Sequence, residues 1–575
     1  MKALTPLKKH RFKVFLAPLL KALECTCELI IPFLVRAIID EGLTQGGAHY
    51  GDGAFVLGLC GAIFGLSVFG FGFTMIAQYV ASSVTTRFAY DLKKNIYAHI
   101  GELSPVQLEN YGKNKALNLV NTASFSVQIG VQMFMRLLVR APFLVIGSTV
   151  AAFIVSPYAG LVVLGSLALC GIVIGIVVGV SPKEYTALTN ELDAISSEGD
   201  DLITGARVVR AFNKQEETDA RFERQSEQYR RQALKLARIN AFINPLTFGF
   251  VNLAVVLVLY LGSFALPTTG ISVGSIVAII SFLTQSLNAL IQFTRLVTSF
   301  SKAYADKKRI DAFFDIAPAI VDGEREKEEE VAQGEPLFEL RDVDVSFGGE
   351  SKALEGVSLV VPKGQSVGII GGTGSGKSVL VSLLPRFLDA ERGEVLYRGH
   401  DIRQSKLASL RGEIALVSQK PQLFKGTIRD NLTLGREYAE EEIVAAAKDA
   451  LAYDFILDKE GGFDGEVEEG GANFSGGQKQ RLLIARALLS HREVLILDDA
   501  TSALDYKSDL LVRQNVKKRK GMTLIMVSQR ATSIKDCDRI YVLDKGKVVG
   551  EGKHEELLSS CDVYREVYEA QVKQR

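Results

Sequence analysis

The feature that most constrains the fold is a set of about six apolar stretches in the first ~310 residues long enough to cross a bilayer, which takes roughly 20 residues as a helix. They lie near Phe12–Ile39, Ala54–Val80, Ala141–Val155, Ala159–Val180, Phe242–Leu266 and Val273–Leu290. Ala141–Val155 is short and must borrow residues on either side. Within hydrocarbon each backbone polar group needs an internal partner, so these stretches read as helices. Ser156-Pro157-Tyr158 and Leu266–Gly270 read as tight turns between spans. The N-terminus, MKALTPLKKHRFKVFLAPLL, runs from basic to apolar without a small-residue cleavage site. It is expected to be a first span behind a basic flank rather than a signal peptide.

Two polar segments, Thr85 to about Gln132 and Ser181 to about Asn240, carry apolar positions at helical spacing among Lys, Arg, Glu and Gln. They hold most of the basic residues of this half, which places them and the N-terminus in the cytoplasm. Beyond about Asp311 the pattern changes. The acidic stretch DGEREKEEEVAQGE (Asp322–Glu335) reads as a linker, and strand-like and helical runs then alternate as in a soluble α/β domain. The expected organisation is a transmembrane domain over residues 1–310, a linker over 311–334 and an α/β domain over 335–575. A 47% hydrophobic content beside 23% charged residues fits that division. Equal numbers of basic and acidic residues, 66 each, give no electrostatic case for a nucleic-acid partner. The six cysteines form no CxxC pair and six histidines are too few to complete a zinc site beside them.

GGTGSGKS spans Gly371, Gly372, Thr373, Gly374, Ser375, Gly376, Lys377 and Ser378, between the strand-like SVGII and the apolar VLVSLLPRFL. This is a phosphate-binding loop in its proper strand–loop–helix setting. Glycines let successive N–H groups turn toward phosphate oxygens. Lys377 is placed to bridge the β- and γ-phosphates, and the Ser378 hydroxyl to ligate Mg²⁺. Asp498, ending the buried run VLIL, supplies a carboxylate for the same ion.

The remaining motifs carry a resemblance. FSGGQKQR (Phe474–Arg481) resembles the ABC signature, with Phe in place of Leu at its first position. The order phosphate loop, SQKPQLF (Ser418–Phe424), FSGGQ and LILDDATSALD is similar to that of an ABC ATPase. IPFLVRAIIDEGL, GARVVRAFNKQEE and KKRIDAFFD resemble the six-span domain of ABC exporters. The resemblance implies a membrane all-α six-helix domain followed by a P-loop α/β nucleotide-binding domain with a helical subdomain, working as an ABC-type ATPase with ATP and Mg²⁺. It implies that Phe347 stacks on adenine and that Gln419 touches Mg²⁺. Ser475, Gly476, Gly477 and Gln478, with Phe474, would grip ATP bound by the opposite subunit. Leu103–Tyr111 and Arg207–Phe212 would be coupling helices, Glu466–Gly471 the loop before the signature, and Asp505 the end of the D-loop. It also implies a multi-pass protein of the bacterial cytoplasmic (inner) membrane.

Two positions depart from the pattern. The residue after the magnesium aspartate is Asp499, where the family carries a glutamate base. The switch position, usually histidine, holds Gln529 in MVSQRATSI. A carboxylate one methylene shorter retreats by about 1 Å, and a displacement of ~1 Å costs on the order of 100-fold in rate. Glutamine also carries neither a proton nor a positive charge toward the γ-phosphate. Retained binding residues with impaired hydrolysis, beside an intact signature, point to one half of a heterodimeric exporter. The partner half-transporter should then carry Glu and His at these positions. A slowly hydrolysing homodimer, an importer on the same architecture and a nucleotide-gated regulator are the alternatives. Within the spans, Glu24, Gln285 and Asn288 are candidates to line a cavity for a small-molecule, lipid or peptide substrate. Lys21 is placed to pair with Glu24, while Arg136 and Arg140 read as snorkelling residues at the interface.

Overall fold

The computed structural model describes residues 2–269, 272–326, 330–347, 352–519 and 521–573. It divides into two units, Met1–Glu102 with Tyr111–Ala317, and Leu103–Asn110 with Pro318–Arg575.

The first unit is helical. Arg11–Ala37, Gly53–Glu102, Lys113–Val155, Pro157–Thr204, Ile243–Thr269 and Val273–Phe314 are its long rods, and Gln215–Ala241 leads into the fifth. Gly53–Glu102 has 50 residues, about 75 Å at 1.5 Å per residue, against the ~30 Å of a hydrocarbon core. The polar segments are therefore largely prolongations of the spans. Lys113–Val155 likewise gives the short third span its extra length. Ser156 is extended (φ −160°, ψ 129°), and Pro157 opens the next helix at the position where a missing N–H costs nothing. The turn expected at Leu266 is not there: the helix continues to Thr269, while Gly270 lies outside the described residues.

Four helices, Gly53–Glu102, Lys113–Val155, Pro157–Ile176 and Val273–Phe314, are long and apolar enough to cross a membrane, and Pro245–Leu261 is a shorter apolar helix. Arg11–Ala37 is long enough, but Lys21, Glu24 and Glu28 interrupt its apolar run. Small residues let the rods approach closely. A Cβ added to Gly130 would lie 2.2 Å from the Ala303 side chain. Asp40, just past the first helix, accepts hydrogen bonds from the Ser272 hydroxyl and, at 2.8 Å, from the Gly274 N–H. It thereby fixes the start of the sixth rod.

The second unit is α/β. Its strands are β1 (Pro336–Ser346), β2 (Lys352–Pro362), β3 (Ser366–Gly371), β4 (Arg392–Tyr397), β5 (His400–Asp401), β6 (Ile414–Val417), β7 (Gly426–Thr427), β8 (Glu466–Val467), β9 (Val494–Asp498), β10 (Thr523–Ser528), β11 (Arg539–Asp544) and β12 (Lys547–Gly552). One sheet runs β12-β11-β3-β10-β9-β6, a second β2-β1-β4-β5, and β7 pairs with β8. β3, β9 and β10 run parallel, with Ile370 opposite Ser528 and Val527 opposite Asp498. Their burial on both faces explains their unbroken apolar sequences. The register brings three chain segments to one edge: the loop after β3, the acidic pair ending β9 and the residues after β10. The carboxyl ends of parallel strands are where open α/β sheets bind ligands.

Candidate functional site

Gly374 and Gly376 take positive φ (80° and 96°), and a Cβ on Gly376 would lie 2.5 Å from the Ala353 carbonyl oxygen. Only glycine fits that turn. The loop curls around Lys377, whose buried Nζ donates to the carbonyls of Gly371 (2.9 Å) and Gly372 (2.6 Å) and to Ser375 Oγ (3.3 Å). Burial pulls the Lys377 pKa down, and the charges of Asp499 and Asp498 oppose that pull. Gly372, Thr373, Gly374 and Ser378 are exposed at the mouth of the loop.

The second wall is the acidic pair. Burial raises the pKa of Asp498, a hydrogen bond from Ser378 opposes it, and the neighbouring Asp499 charge adds to the rise. Ser378 and Asp498, two of the three residues expected at Mg²⁺, thus meet. Asp499 sits in the left-handed region (φ 48°), which aspartate accepts more readily than most residues, and its N–H donates to Val527 O at 2.9 Å. Its carboxylate accepts from Gln419 Nε2 at 3.3 Å. Burial raises its pKa too, against the Gln419 hydrogen bond, the Arg530 and Lys377 charges and the Gln529 backbone. Gln529 itself is exposed, and the next residue, Arg530, donates to the Ser502 carbonyl at 3.3 Å. Phe347 stands exposed just past the end of β1.

The signature residues form a separate feature. Ser475 caps the helix Gly476–Leu489: its Oγ accepts from the Gln478 N–H (3.3 Å), while Gln478 Oε1 accepts from the Ser475 N–H (2.9 Å). This reciprocal box satisfies two of the helix's free donors. Phe474 is buried, with Lys459 Nζ 4.3 Å from its ring centroid. Sequence reasoning missed two glutamines. Buried Gln480 accepts from the Ala503 N–H at 3.2 Å, tying the D-loop to the signature helix. Gln571, on the last helix, reaches the segment after β10. Gln480 lies within FSGGQKQR, but nothing in that run marks its tie to the D-loop, and Gln571 belongs to no contiguous motif.

In the helical unit the polar residues regroup. Glu24 is buried between Lys21 and Arg140, and Arg140 Nη2 also pairs with Glu28 Oε1 at 3.0 Å. Two expectations are corrected here. Arg140 is not a snorkelling residue, because two carboxylates on the first helix hold it inward. Glu24 does not line the cavity, because its carboxylate is consumed by the ion pairs. A cavity of about 340 Å³ is lined instead by Glu28, Arg140, Gln285, Asn288 and Gln292 together with Ile31, Leu144 and Ala289. Gln285 also donates to the Glu28 carbonyl at 3.3 Å. Among the described residues no cluster of three or more His, Cys, Asp or Glu is arranged to hold a metal by itself.

Comparison with known proteins matches residues 14–290 to the ABC transporter transmembrane region and 354–502 to the ABC transporter model. An ATP-dependent lipid A-core flippase of Vibrio vulnificus (strain CMCP6) is 30% identical over 546 residues, covering 94% of this chain and 91% of the flippase. The uncharacterized ABC transporter ATP-binding protein YfiB of Bacillus subtilis is 28% identical, covering 99% of this chain and 98% of YfiB. A bacterial Atm1-family ABC exporter solved with ATP bound superposes with a TM-score of 0.83 over 98% of this chain and 99% of its own, at 23% identity, which speaks to the fold.

Proposed function

The chain belongs to the ABC transporter family, and from that premise we propose that it is the exporter half-transporter whose own ATP site binds more than it hydrolyses. It is an ABC-type ATPase and translocase chain with its transmembrane region and nucleotide-binding domain in one polypeptide. On this reading ATP lies against the loop Gly371–Ser378 with adenine on Phe347, and the phosphates take over Lys377 from the carbonyls it now holds. Ser378, Asp498 and Gln419 would hold Mg²⁺, which would shield the phosphate charge. Asp499 occupies the place of the base and Gln529 that of the switch.

The observation that carries the asymmetry is a contrast within one unit. Ser475–Gln478 make a complete capped helix start, suited to serving a partner's ATP, while the chain's own water-orienting positions are a short carboxylate tied to Gln419 and an uncharged Gln529. The partner proposed is a second half-transporter with Glu and His at those two places. The relatives named as lipid A-core flippases, and the mixed polar and apolar cavity, support a lipid or other amphiphile as cargo at the bacterial cytoplasmic membrane. The test is to purify the chain alone and with the half-transporter that accompanies it, and to compare substrate-stimulated ATPase in nanodiscs. Turnover is expected only in the pair; a homodimer with ordinary transport-coupled ATPase would overturn the proposal.

A further inference from the structure

The segment after β10 is held from an unexpected direction. The last helix, Asp562–Lys573, is anchored by fully buried Tyr564, with Val567 and Tyr568 packed against the same core. Two residues before its end, Gln571 makes two hydrogen bonds that straddle Arg530. Its Nε2 donates to the Gln529 carbonyl at 2.7 Å, and its Oε1 accepts from the Ala531 N–H at 2.9 Å. A primary amide offers a donor and an acceptor in one plane, so it serves both backbone groups at once. The bridged segment is the one whose groups reach the reacting end of the site. The Gln529 backbone and the Arg530 charge bear on Asp499, and Arg530 also holds the Ser502 carbonyl of the D-loop.

We propose that Gln571 is a positioning residue: by clamping the backbone on both sides of Arg530, the C-terminal helix fixes where residue 529 and Arg530 stand relative to Asp499. The clamp makes no contact with nucleotide. It acts through the switch segment, so it governs turnover rather than ATP affinity, which belongs to Phe347 and the phosphate loop. The proposal rests on the reading of residue 529 as the switch position. Within it, the C-terminal helix becomes a handle: whatever displaces it releases the switch without touching the phosphate loop.

The test uses the full chain, with its accompanying half-transporter, in nanodiscs. Gln571→Ala removes both hydrogen bonds. Gln571→Glu keeps an acceptor for the Ala531 N–H but loses the donor to the Gln529 carbonyl. Amide exchange at Ala531 is expected to quicken in Q571A and to stay slow in Q571E. In a D499E/Q529H background paired with a half-transporter whose own catalytic base is replaced, so that only this site should turn over, adding Q571A is expected to lower kcat on the order of 10-fold while KM for ATP stays put, because oriented catalysis is sensitive to displacements below ~1 Å. Unchanged Ala531 exchange in Q571A overturns the clamp. Faster exchange with unchanged kcat in the active background overturns its positioning role. If D499E/Q529H gains no turnover, the reading of Asp499 and Gln529 fails instead, and the clamp stands or falls on the Ala531 exchange alone.

Discussion

Replacing Arg140 with glutamine should destabilise the helical unit. The magnitude follows from the cluster. Lys21 and Glu24 side chains are each 6% exposed, Arg140 is 20% exposed and Glu28 36%. The four charges sum to zero; without Arg140 the cluster carries one uncompensated negative charge. Breaking a buried ion pair costs about 3–5 kcal/mol. Here Glu24 keeps Lys21 and Glu28 faces the cavity, so a cost at or just below the bottom of that range, about 2–3 kcal/mol, is expected. That exceeds the ~0.6 kcal/mol average of interhelical hydrogen bonds between uncharged groups in membranes. The assay is the midpoint of denaturation of the full chain in nanodiscs or mild detergent. R140Q should unfold earlier, and E28Q/R140Q should recover about half of the loss, because it restores neutrality and leaves the Lys21–Glu24 pair. Wild-type stability in R140Q, or an E28Q/R140Q variant as damaged as R140Q, would refute the argument that charge balance is what holds Arg140 inward.

Two further outcomes follow from the nucleotide-binding unit. Lys377→Ala should weaken ATP binding roughly 10- to 100-fold, the range for losing charge-assisted hydrogen bonds; equilibrium binding of a fluorescent ATP analogue measures it. Burial alone would raise the Glu493 carboxyl, but hydrogen bonds from Arg398 and Lys363 outweigh it and hold its pKa below the ordinary value. A depressed carboxylate stabilises the fold above its unfolded pKa of about 4.3 and loses that contribution as pH falls through the folded value. Glu493→Gln should therefore lower the thermal midpoint at pH 7, and the gap to wild type should close as pH drops below about 4.

What the sequence makes legible is what its chemistry makes contiguous. The phosphate loop is eight consecutive residues between an apolar strand and a helix, and its fold repeats that order. Asp498 is readable because a buried strand seldom ends in a carboxylate beside a phosphate loop without cause. The spans are readable because a bilayer demands length and hydrophobicity together. The pairing of Arg140 with Glu24 and Glu28 is not, since it joins residues more than a hundred positions apart, and an arginine at a span's edge has an equally good local explanation in snorkelling. Gln571 escapes for a related reason: a lone glutamine has no periodicity, and only the tertiary fold reveals which backbone groups it serves, as it alone reveals the D-loop partner of Gln480 within FSGGQKQR. The turn at Leu266 fails because Pro and Gly mark a boundary only to within a few residues, and the helix tolerates Pro267.

The central claim is asymmetry: this chain's signature does work that its own catalytic positions do not. It is tested most directly by comparing two variants of the purified pair, Asp499→Ala and Ser475→Arg, in substrate-stimulated ATPase. The account predicts that D499A leaves turnover near the wild-type rate while S475R abolishes it, because Ser475 caps the helix proposed to meet the partner's ATP. Loss of turnover in D499A, or full activity in S475R, would contradict it.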